Sequence, residues 1–130
     1  MKYLKRFNES NTDDVIENVK DILLPINDMG YDVSFRYYII NGDTSQLIIR
    51  VVSWGDKPLF ITDEVKEEFT RMKDYLQSEG YNSIEVLYHL ATPGDISSRE
   101  IKEFGRFMKY ESWQKVKIKN LIFDAKKEII

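Results

Sequence analysis

The chain holds 130 residues, 42% apolar and 32% charged, with a net charge of −3, one histidine and no cysteine. That length suits one domain with one core, and an aromatic content of 13% argues against a disordered chain. The missing thiols exclude disulfides, thiolate catalysis and cysteine-bound zinc, and a sequence pI near 5.3 argues against general nucleic-acid binding.

Charge is unevenly spread. Residues 1–94 hold 10 basic and 16 acidic side chains (−6), and residues 95–130 hold 9 and 6 (+3). The opening "MKYLKRF" leads into "NESNTDD" rather than an apolar stretch, so it is no secretory signal. No apolar run approaches the roughly 20 residues needed to cross a bilayer. The expectation is a soluble, cytoplasmic protein with no membrane partner.

"KYLKRF" is either a leader or an edge strand within residues 1–11. A helix is predicted from Thr12, whose hydroxyl suits an N-cap, with Asp13 and Asp14 where the helix dipole favours negative charge. Val15, Val19, Ile22 and Ile26 draw one apolar stripe at helical spacing. Pro25 predicts a kink between Leu23 and Ile26, because an interior proline costs about 3 kcal/mol relative to alanine. Gly30 is placed for a left-handed C-cap.

"YDVSFRYYII" alternates Val33, Phe35, Tyr37 and Ile39 on one face, the period of a strand. Asn41-Gly42 signals a turn, and "QLIIRVVSW" returns as a second strand. "TDEV" at Thr62–Val65 then repeats the "TDDV" of Thr12–Val15, and Gly80-Tyr81 repeats Gly30-Tyr31. The second helix carries its stripe at Val65, Phe69, Met72 and Leu76. "SIEVLYHL" follows as a strand alternating Ile84, Val86, Tyr88 and Leu90.

Beyond the loop "TPGD", "SSREIKEFGRFMKY" reads as a third helix. Ser97 and Glu100 are spaced as a capping box, with Ile101, Phe104 and Met108 on one face. "KVKIKNLIF" reads as a last strand. The fold class expected is α+β, a two-layer sandwich of a four- or five-stranded antiparallel or mixed sheet with two helices on one face. Its plan is ferredoxin-like if residues 1–11 supply a first strand, or a permuted α-β-β-α-β core if they do not. Residues 95–130 form a C-terminal helix-strand extension of this single domain.

Catalytic signals are sparse. His89 is the single histidine, flanked by Tyr88 and Leu90, and a lone strand histidine is ordinarily structural or exposed. Asp13, Asp14 and Glu17 could be read as a Mg²⁺ cluster, but the helix dipole accounts for them without a metal. No phosphate loop, G-x-S-x-G elbow or H-E-x-x-H is present. No catalytic residue, cofactor or metal ligand is assigned.

Strand parity singles out one surface. With Phe35, Leu47 and Ile49 in the core, Arg36, Tyr38, Arg50 and Trp54 point the other way. His89 joins them from the next strand, and Lys115, Lys117 and Lys119 from the last. Cations interleaved with aromatics on one sheet face leave three readings open. The face is solvated or covered by the C-terminal segment, or it is a protein interface, or it binds anionic ligands.

The opening "MKYLKRFNES" resembles the start of small tailed-bacteriophage proteins that begin Met-Lys-x-Leu-Lys-x-Phe-Asn-Glu. "DMGYDV" and "SEGYNS" are similar to segments in such proteins. The resemblance implies a phage origin, with residence in the host-cell cytoplasm or the virion, and carries over no site residue. The function expected is a non-enzymatic binding protein acting through protein contacts or self-association, as a virion component or host-interaction factor. The alternative is a nucleotide or nucleic-acid binder using the same sheet face, and a remote third is a small metal-dependent hydrolase.

Overall fold

The computed structural model describes residues 13–53, 59–90, 99–109 and 118–128. The first helix, α1, covers residues 13–22 and a second short one, α2, covers Leu24–Asp28. Leu23 separates them, and Pro25 sits in the first turn of α2, where its missing N–H leaves no intrahelical bond unmade. The N–H groups of Ile26 and Asn27 both donate to the Leu23 carbonyl, at 3.0 and 3.1 Å. The predicted kink is therefore a clean break. Val15, Val19, Leu23 and Ile26 are buried, whereas Ile22, expected in the core, is half-buried; Leu23, whose N–H donates to the Val19 carbonyl at 2.9 Å, fills the place one turn on from Val19. Thr12 lies outside the described residues.

Strand β1 spans Asp32–Ile40 and β2 spans Thr44–Val52. Asn41 and Gly42 both take positive φ, 55° and 76°, the twist that a tight hairpin demands, and Asp43 N–H closes the turn on the Ile40 carbonyl at 3.2 Å.

Helix α3 spans Asp63–Ser78. Thr62 Oγ1 accepts from Val65 N–H at 3.3 Å, a cap of about 1 kcal/mol. At the other end Gly80, at φ 96°, turns the chain. Tyr81 N–H then reaches the Leu76 carbonyl at 3.0 Å and Gly80 N–H the Gln77 carbonyl at 3.1 Å, which satisfies two orphan carbonyls at once. Val65, Phe69, Met72 and Leu76 are all buried, as their spacing predicts.

Strand β3 spans Ser83–Leu90 and β4 spans Arg99–Glu103. A short helix, α4, spans Phe104–Lys109, and β5 spans Ile118–Glu128. The third helix is thus a correction. Arg99–Glu103 is a strand paired with β3, and the helix begins only at Phe104. Glu103 is its cap, accepting from Gly105 N–H at 3.0 Å and Arg106 N–H at 3.3 Å. Pairing with β3, the preceding strand, outweighs the helical spacing of Ile101 and Phe104.

The five strands among the described residues join one antiparallel sheet in the order β1-β2-β5-β3-β4. The chain is α+β. The C-terminal strand is no extension: β5 lies in the middle of the sheet, between β2 and β3, and belongs to the core. It also runs further than "KVKIKNLIF" suggests, to Glu128. A leading strand from residues 1–11 falls outside the described residues.

One sheet face carries Ser45, Leu47, Ile49 and Val51 of β2, Leu121, Phe123 and Ala125 of β5, and Ile84, Val86 and Tyr88 of β3, all buried. The helices meet this face. Phe69 of α3 stands edge-on to Phe123, and α4 brings Phe104 to Phe123 and Phe107 to Tyr88. On β1 the inward row fades: Val33 and Phe35 are half-buried, while Tyr37 and Ile39 are exposed.

Candidate functional site on the open sheet face

The reverse face of the sheet forms an open concavity of about 540 Å³, lined by Ser34, Arg36 and Tyr38 of β1 and by Ile48 and Arg50 of β2. Asn120, Ile122 and Asp124 of β5 continue the lining, and Glu85, Leu87 and His89 of β3 complete it. Period-two alternation puts them there: each has the opposite parity to the core residues of its strand.

Register arranges the side chains in rows. Arg36, Ile48, Asp124 and Glu85 form one row across four strands, and Ser34, Arg50, Ile122 and Leu87 form the next. At about 4.8 Å per strand, Arg36 and Glu85 stand about 14 Å apart. Ile48 and Asp124 lie between them in that row, and Ile122 and Leu87 of the next row extend the aliphatic floor. Cations therefore lie toward β1 and β2, carboxylates toward β5 and β3, with Ile48, Ile122 and Leu87 interspersed among them.

Polar groups here are held in place. Arg50 Nε donates to Asn120 Oδ1 at 3.2 Å, and Gln46 Nε2 donates to Asp124 Oδ1 at 2.9 Å. Lys126 Nζ lies 3.9 Å from Asp124 Oδ2. Such cross-strand bonds fix where the charges sit before anything binds.

Four of the expected site residues come together here: Arg36, Tyr38, Arg50 and His89. Trp54, Lys115 and Lys117 lie outside the described residues. Lys119 is exposed and on β5, but it does not line the concavity. The cause is a bulge. Leu90 pairs with Ile118 and His89 with Asn120, so Lys119 is the extra residue. From there Asn120, Ile122 and Asp124 face outward, and the lysine comb expected of this strand gives way to an amide, an isoleucine and a carboxylate. The expected face of cations and aromatics is corrected to one of mixed charge over an aliphatic floor. Ile48, Glu85 and Leu87 share the parity of Arg50 and His89, so alternation alone finds them, whereas a search for cations and aromatics misses them.

Asp13, Asp14 and Glu17 are exposed on α1, and Glu17 pairs with Lys20 at 3.4 Å. Among the described residues no three histidine, aspartate or glutamate side chains are grouped to hold a metal. No helix among them is long and apolar enough to cross a membrane. No family model, no curated protein and no solved structure matches the chain.

Proposed function

We propose that this is a non-enzymatic binding protein of phage origin, a virion component or host-interaction factor, that grips a protein partner with the open face of its sheet. The observation that carries the reading is the lining of the concavity. Ile48, Leu87 and Ile122 offer an apolar centre, flanked by Arg36 and Arg50 on one wall and Glu85 and Asp124 on the other. An apolar centre with a charged rim is the anatomy of a protein interface, and Arg and Tyr are favoured anchors in it. A polyanion would meet Arg36, Arg50 and Tyr38 but also both carboxylates, which repel it. The fold fits this role as a permuted split-βαβ plan, in which β5 takes the central place that a leading strand would fill.

Site-specific photo-crosslinking tests the reading. A photoreactive residue at Ile122 or Leu87 captures a discrete protein from phage-infected host lysate, and one at Glu67, exposed on α3, does not. Equal capture from both positions, or none from the sheet face, refutes the proposal. Salt-sensitive oligonucleotide binding that Arg50→Ala weakens would transfer the site to the nucleic-acid reading.

A further inference from the structure

Among the described residues the sheet has β1 at one edge and β4 at the other, and the two differ in composition. Four of the five residues of β4, Arg99, Glu100, Lys102 and Glu103, are ionisable, a composition that disfavours stray edge pairing. β1 has nine residues, no proline and no lysine, and it pairs with β2 through nine consecutive positions without a bulge. Three of the four large apolar side chains exposed among the described residues are consecutive on it: Tyr37 at 37%, Tyr38 at 43% and Ile39 at 50%.

We infer that β1 is a self-pairing edge, joining antiparallel to β1 of a second copy about a two-fold axis at Tyr37. A two-fold axis normal to the sheet keeps the helices of both copies on one side. Paired residues must then share a face, so each pair joins residues of equal parity. Centring on Arg36 sets that cation against its own copy, which like-charge repulsion disfavours. Centring on Tyr37 instead places Arg36 beside Tyr38 of the second copy on the open face, a cation against an aromatic ring. On the helix side Phe35 meets Ile39 of the second copy, and the half-buried row of β1 continues across the junction. The single cation of the strand, elsewhere a guard, thereby becomes a contact that suits a second copy of this chain. The union makes one ten-stranded sheet from two five-stranded ones, with both concavities on the same side. A repetitive partner surface would be met twice, at raised effective concentration.

Light scattering on the full chain at micromolar to millimolar concentration should give the mass of a dimer. Tyr37→Lys, which puts two ammonium groups on the axis, should abolish it. The chain has no cysteine, so Tyr37→Cys introduces one thiol that oxidises to a covalent dimer only where position 37 meets itself. Ser34→Cys, with its two copies about 20 Å apart in this register, should stay uncrosslinked. A monomeric parent overturns the inference. A dimer that Tyr37→Lys leaves intact, or one that crosslinks at position 34 and not at 37, also overturns it.

Discussion

Phe69 on α3 meets Phe123 on β5 edge to face, with ring centroids 4.9 Å apart and planes inclined at 61°. This contact pins the central strand to the helix, and alternation then throws Ile122 and Asp124, the neighbours of Phe123, onto the opposite surface. Core and candidate site are consequently two sides of one strand. Phe123→Ala should cost about 3–5 kcal/mol, read as a lowered midpoint of denaturant unfolding with an unchanged slope.

Tyr81 ends the cap of α3 with its phenol buried against Ser45, Oη to Oγ at 3.3 Å, and with Lys127 Nζ 5.0 Å above its ring. Burial pushes this phenol above its ordinary value of 10.0, against the opposing pull of the Ser45 hydrogen bond. A folded-state value raised above the unfolded one means stability that is present in full below pH 10 and is lost as pH rises through the folded-state value. Tyr81→Phe should cost about 1 kcal/mol at neutral pH and should remove the alkaline loss. Thermal midpoints of parent and variant on either side of pH 10 check both statements.

Glu103 closes β4 and opens α4 with one carboxylate. The Gly105 N–H is the largest cause that holds it below its ordinary value of 4.5; partial loss of hydration opposes, and the Arg106 N–H and the charges of Arg106 and Lys109 assist. A depressed folded-state value contributes stability that is complete above 4.5 and vanishes as pH falls through the lower, folded-state value. Glu103→Gln should therefore be the less stable chain at neutral pH and match the parent in strong acid. Carboxyl titration by NMR should find the Glu103 signal moving below its ordinary value of 4.5.

How much of this was open to sequence reasoning differs from element to element. The four buried positions of α3 and both of its caps follow from local chemistry, a threonine, a glycine and helical spacing, so they read directly. Pro25 likewise marks the break at Leu23, although Leu23, one turn on from Val19, rather than Ile22 fills the core position there. Strand β4 does not read. "REIKEF" carries helical spacing, and its strand state comes from antiparallel pairing with β3, the strand before it in the chain. The place of β5 in the middle of the sheet, against β2, is a long-range choice. For the site, parity on β1, β2 and β3 puts Arg36, Tyr38, Arg50 and His89 on one face. On β5 a single extra residue at Lys119 inverts the alternation, and a bulge is set by the partner strand, not by local sequence.

The central claim is that helices cover one side of the sheet and leave the other accessible. Thiol labelling of single-cysteine variants tests it most directly, since the natural chain offers no competing thiol. Arg50→Cys and Ile122→Cys should react with a water-soluble maleimide in the native protein. Ala125→Cys, on the same strand as Ile122 but buried, should react only after unfolding. Rapid labelling at position 125, or native-state protection at 50 and 122, would contradict the account.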